Sequence, residues 1–142
     1  MEPSQVRQVL VVASETATSR RLLNELEGRA ASRPCRFTLL VPDARDREAG
    51  ERKLAVALPL MRQAVSAPVK GLVDGPDPFE AVERAVREGS FDEIIVSTLP
   101  QRTSKWLRRD LVSRVERLGL PVTAVIPKAV RDPTAGVGGI PG

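Results

Sequence analysis

The sequence predicts an α/β domain: a parallel five-stranded sheet, doubly wound in three layers, with helices on both faces. Three observations carry this. Short apolar runs alternate with segments of helical spacing along most of the chain, the pattern of strand–helix–strand units. The runs are rich in Val, Leu and Ile, as suits strands buried on both sides. With 142 residues, 42% apolar and only 3% aromatic, the chain can build one sizeable core, filled by aliphatic side chains.

Val6–Ala13 reads as a buried strand running into the polar loop Ser14-Glu15-Thr16. Leu22, Leu23, Leu26 and Ala30 then recur at helical spacing, with Thr18 or Ser19 as the N-cap. Ser32-Arg33-Pro34 closes that helix, because proline disfavours helical geometry in the residue before it. Cys35–Val41 is the second strand, stopped at Pro42-Asp43. Asp46–Val65 reads as a helix with Leu54, Ala57, Leu58, Met61 and Val65 on one side, kinked or split at Pro59. Pro68–Val73 is a third, shorter strand.

The next helix has the clearest start in the chain. Asp77 can cap it, Pro78 suits the first helical position, and Glu80 sits at capping-box spacing. Val82, Ala85 and Val86 form its inner face, and Gly89 suits its C-terminal cap. Glu93–Thr98 is the fourth strand. A helix from Thr103 to Leu118, ended by Gly119 and Pro121, leads to the fifth strand at Val122–Ile126. The domain therefore spans 1–127. The remainder, 128–142, holds four of the ten glycines and no apolar period, the composition of a flexible tail.

Composition excludes several function classes. There is no histidine, which removes Ser/His and Cys/His nucleophile pairs and most zinc sites. Tyrosine is also absent, so much of the usual catalytic inventory is missing and the expectation is a non-enzyme without a metal. The single cysteine, Cys35, cannot form an intrachain disulfide and fits a reducing compartment such as the cytoplasm. The apolar stretches Val9–Ala13 and Leu54–Met61 are too short to span a bilayer, and the N-terminus does not read as a secretory signal.

The order of these elements and their local wording resemble the universal stress protein family. Val9-Leu10-Val11-Val12-Ala13-Ser14 resembles its first strand and the loop that opens toward the ligand, and Phe37-Thr38-Leu39-Leu40-Val41 its second strand. Phe91-Asp92-Glu93-Ile94-Ile95-Val96 resembles its fourth, and Pro121-Val122-Thr123-Ala124-Val125-Ile126 its closing strand. The resemblance covers residues 6–127 and implies a strand order 3-2-1-4-5. It also implies a homodimer through Val122–Ile126, where an apolar edge strand would invite pairing.

In ATP-binding members of that family the loop after the fourth strand reads Gly-x2-Gly-x9-Gly-(Ser/Thr), so that backbone N–H groups can approach phosphates. The corresponding positions here are Ser97, Pro100, Asp110 and Leu111. Pro100 has no N–H to donate, and Asp110 would set a carboxylate beside phosphate oxygens. Ser14 stands where nucleotide-binding members often carry an acid. The expectation is a divergent member that does not bind ATP in the usual mode.

In a doubly wound sheet, ligands sit beyond the carboxyl ends of the strands where the winding reverses. The expected crevice residues are Ala13, Ser14, Val41, Ser97, Thr98, Arg102, Thr103, Ser104 and Arg109. The hydroxyls would hydrogen-bond a phosphate or ribose, or alternatively cap the helix and satisfy the loop. The segment 101–118 carries six cations against two acids, readable as an anion site or as the solvated face of an amphipathic helix. No aromatic set interleaves with those cations, which speaks against nucleic acid. Asp43 and Asp46 with Glu15 could hold a hard cation, but a surface turn explains them as well. Two functional readings remain: a non-enzymatic domain acting by dimerisation and partner or small-ligand binding, and a nucleotide or other phosphate-compound binder using an altered loop with Arg102, Lys105 and Arg109.

Overall fold

The computed structural model describes residues 6–42, 46–97 and 108–126, with backbone alone for 108–110. The elements run β1 (Arg7–Val12), α1 (Arg20–Ser32), β2 (Cys35–Val41), α2 (Arg47–Val65), β3 (Val69–Val73), α3 (Pro78–Glu88), β4 (Glu93–Ser97), α4 (Arg108–Glu116) and β5 (Val122–Val125). All strand pairs are parallel and the sheet order is β3-β2-β1-β4-β5, as expected. Val11 sets the register, opposite Leu39 on one side and Ile95 on the other.

Because side chains alternate across a strand, β1 feeds two cores. Val9 and Val11, with Phe37, Leu39 and Ile95, pack against Leu22 and Leu26 of α1 and Leu54, Ala57 and Met61 of α2. Leu10 and Val12, with Leu40, Ile94 and Val96, pack against Ala81, Val82 and Ala85 of α3 and Leu111 and Val115 of α4. This explains why β4 and the Val9–Val12 part of β1 are buried at every residue while burial along the edge strand β3 alternates. Leu111, at the position of the family's small hydroxyl residue, is 2% exposed and belongs to the second core.

Helix ends follow from short polar side chains. Ser19, rather than Thr18, caps α1 by accepting from the Leu22 N–H at 3.2 Å. Asp46 caps α2 through the Ala49 N–H, and Asp77 caps α3 through the Glu80 N–H at 3.0 Å. Asp46 is thereby a capping residue, and among the described residues no three of Cys, Asp or Glu group as metal ligands would. Gly89 ends α3 with an extended backbone, so its glycine is not needed for a left-handed turn. It is needed for space: a Cβ there would lie 2.7 Å from the Phe91 ring. Gly119 uses positive φ, at 95°, as does Gly75, at 143°.

The sequence predicts a kink or break at Pro59, yet α2 is one helix of 19 residues. The carbonyl that Pro59 leaves without a donor belongs to Ala55, and both residues are exposed. Water can serve that carbonyl, so the helix continues past the proline. The expectations for Asp43, Thr98, Pro100, Arg102, Thr103, Ser104, Lys105 and the tail 128–142 lie outside the described residues. Arg109 falls in the first turn of α4, where the backbone alone is described. No described helix is long and apolar enough to cross a membrane.

Candidate functional site

The winding of the sheet reverses between β1 and β4: α1 and α2 cover one face, α3 and α4 the other. The carboxyl ends of these two central strands therefore meet at a point with no crossover above it. Here β1 ends in Ala13, whose N–H donates to the Leu40 carbonyl at 3.1 Å, extending the ladder by one residue. The chain then tightens into two turns, Ala17 N–H to Ser14 carbonyl at 3.2 Å and Ser19 N–H to Thr16 carbonyl at 3.0 Å. These turns tuck Ser14 and Thr16 inward and leave Glu15 exposed.

Three hydroxyls are buried at this point: Ser14 and Thr16 are 5% exposed and Ser97, at the end of β4, is 0%. Thr16 Oγ1 and Ser97 Oγ share a hydrogen bond of 2.7 Å that ties the β1 loop to β4. Lys53, half-buried on α2, donates from Nζ to Ser14 Oγ at 2.7 Å. Of the expected crevice residues, the structure brings together Ala13, Ser14 and Ser97, and sets Val41 at the end of the neighbouring β2. Ala13 and Val41 are fully buried and serve as apolar walls.

Lys53 was not among the residues expected from sequence. One signal could have found it. Arg47 and Arg52 on the same helix pair with Glu51 and Glu48, four residues away. Lys53 instead has Ala49, Gly50, Val56 and Ala57 at helical-neighbour positions, none of them acidic. A lysine without a helical partner beside small residues is one that reaches elsewhere.

Another described charged pair near the carboxyl edge is matched. Asp74, after β3, accepts from Arg84 at both oxygens, Nε to Oδ2 at 2.8 Å and NH2 to Oδ1 at 3.1 Å. That fork holds the Asp74 carboxyl below the ordinary carboxylate range. On α4, the Arg114 guanidinium lies 4.2 Å from the centre of the Phe79 ring, a cation–π contact that binds α4 to α3. With Leu111 and Val115 buried and Arg114 and Arg117 exposed, the described part of the basic segment is an amphipathic helix.

At the opposite, amino-terminal edge of the sheet a pocket of about 490 Å³ is lined by Arg7, Arg29, Arg33, Cys35 and Glu93, among others. Of its charges, Arg7, Arg29, Glu25 and Glu93 answer one another, while Arg33 makes no ion pair among the described residues. Glu93, 6% exposed, accepts from Arg7 Nε at 3.0 Å and from Arg29 NH1 at 2.5 Å. Arg29 also reaches Glu25 and the Thr123 hydroxyl, so the network joins α1, β1, β4 and β5. Cys35 is half-buried, and desolvation, then the charge of Glu93, pushes its thiol up. This is a structural clamp, and the thiol beside it is held toward its protonated form.

The strand order and the reversal between β1 and β4 match solved structures over most of the chain. The universal stress protein from Archaeoglobus fulgidus has a TM-score of 0.55 at 17% identity, over 84% of this chain and 93% of that one. The fold is that of the universal stress proteins. The Archaeoglobus fulgidus protein in complex with dAMP has a TM-score of 0.56 at 17% identity, over 84% of this chain and 97% of its own. The hypothetical protein PH0823 has a TM-score of 0.55 at 21% identity, over 89% of this chain and 99% of that one. No protein-family model and no curated protein matches the chain.

Proposed function

We propose that this chain is a non-enzymatic domain of the universal-stress-protein kind, resident in the cytoplasm, that binds a small ligand or partner at the β1–β4 crevice and works as a homodimer. The observation that carries the reading is the hydroxyl cluster of Ser14, Thr16 and Ser97, set where doubly wound sheets hold their ligands. A nucleotide in complex with a structural neighbour supports a phosphate-bearing occupant as the specific form of this reading. The absence of glycine at positions 97, 100 and 110 favours a ligand other than ATP in the family's usual pose.

A Ser–Lys contact can also be the core of a nucleophilic enzyme. Lys53 Nζ and Ser14 Oγ lie 2.7 Å apart, a distance that serves either role; the non-enzymatic reading rests instead on the missing histidine and tyrosine. The test is calorimetric titration with AMP, ADP, ATP and cyclic nucleotides, after mass spectrometry of any nucleotide released on denaturation. We expect a monophosphate to bind more tightly than ATP. Sub-micromolar ATP binding would overturn the proposed departure from the family's mode, and ligand-dependent turnover would overturn the non-enzymatic one.

A further inference from the structure

Among the described residues, the hydrogen bonds at the carboxyl end of β1 do not close, and the surplus has one sign. A serine hydroxyl has one proton to give and two lone pairs to accept with, while a lysine ammonium has three protons and accepts nothing. Ser14 Oγ accepts from Lys53, and among the described residues its own proton has no acceptor. Thr16 and Ser97 together own two hydroxyl protons, and their mutual bond uses one. Lys53 spends one proton on Ser14 and makes no ion pair among the described residues. The cluster thus offers four donor hydrogens, three of its four side chains are at least 95% buried, and no carboxylate among the described residues answers them.

Buried donors are seldom left without acceptors. The described acids of this edge are otherwise placed: Asp74 is held at both oxygens by Arg84, Asp46 caps α2, and Glu15 is exposed. We propose that Lys53, Ser14 and the Thr16–Ser97 pair form an oxyanion subsite that takes the phosphate of a small phosphate monoester. The anion is thereby held on the β1–α2 side of the crevice, not by the loop after β4. Lys53 is half-buried on a flexible stem, so its ammonium can meet solvent and follow an entering anion. Ser14 fits this role better than an acid would, since a carboxylate at its position would consume the lysine's charge and repel the phosphate. The inference rests on the crevice being a ligand site.

The experiment compares AMP with adenosine, which lacks the phosphate, on the intact chain and on Lys53→Met, which keeps the stem's bulk and removes the charge. Charge-assisted hydrogen bonds set the expected scale: AMP affinity falls about tenfold or more in the variant, while adenosine affinity stays within about twofold. Unchanged AMP affinity in a folded Lys53→Met would overturn the subsite and leave the crevice reading standing. Should the variant not fold, inorganic phosphate is titrated into the wild-type chain and the Lys53 side-chain and Ser14 resonances are followed by NMR. Saturable shifts at both support the subsite even if neither nucleoside binds. No shift at either, with no AMP or adenosine binding at millimolar concentration, would overturn the crevice reading itself.

Discussion

Among the carboxylates that arginines hold in this domain, Glu93 and Asp74 have unlike surroundings. Glu93 is nearly sealed and shares two guanidinium groups, so it acts as a buried junction between elements. Asp74 and Arg84 are partly exposed, with side chains 31% and 40% accessible, and solvent screens their attraction. The Arg84 fork depresses the Asp74 pKa in the folded state. A depressed acid contributes stability that is present above the ordinary carboxylate range and is lost as pH falls through the lower, folded-state value. Asp74→Asn should therefore lower the urea midpoint modestly at pH 7, with the gap to wild type closing as pH drops below the ordinary carboxylate range. A gap that stays constant down to the acid transition would show that the ionised form of Asp74 contributes nothing.

At the scale of the element, α2 shows how a local rule yields to context. A proline inside a helix removes one donor and crowds the preceding turn, at a cost of about 3 kcal/mol in an interior. In α2 the affected turn faces water, while Leu54, Ala57, Met61 and Val65 anchor the other side in the core. Packing therefore holds the helix together across Pro59. Pro59→Ala should restore the bond to the Ala55 carbonyl and stabilise the domain by about 1–3 kcal/mol, part of the gain being offset by a looser unfolded chain. An unchanged or lower melting temperature would contradict this account. The same helix ends at Ser66, a non-glycine residue with φ of 56°, and no glycine or asparagine marks that end in the sequence.

For the molecule as a whole, the two edges of the sheet are unlike. β3 pairs with β2 alone, and along it Lys70 and Leu72 are exposed. Among the described residues β5 pairs with β4 alone, and along it an exposed Ala124 lies between the half-buried Thr123 and a buried Val125. A short, uncharged edge strand of this kind is a template for a second copy. The proposed homodimer through β5 predicts a dimer mass by light scattering at micromolar concentration, and a monomer mass for Ala124→Asp, which places charges face to face at that edge. A monomeric wild type would remove dimerisation from the proposed function.

Fold class was legible because it is written in periodicity. Uninterrupted runs such as Ile94-Ile95-Val96, alternating with helical stripes, require strands buried on both faces, and the capping signal at Asp77-Pro78 placed a helix start to the residue. Half the described crevice was legible for the same reason: Ser14 and Ser97 end predicted strands, so their position follows from topology. Lys53 did not follow. It lies 39 residues from Ser14 on a helix with two elements between, and only the packing of α2 against the sheet brings the ammonium to the hydroxyl. The clamp around Glu93 has the same origin, with Arg7, Arg29 and Thr123 drawn from three separate elements.

The sequence by itself determined a doubly wound sheet and a crevice without the phosphate-binding glycines, because local pattern and residue type suffice for both. Only the tertiary structure decided which charge stands in that crevice. Hydrogen bonds between distant side chains depend on how helices dock, and docking is a property of the packed whole.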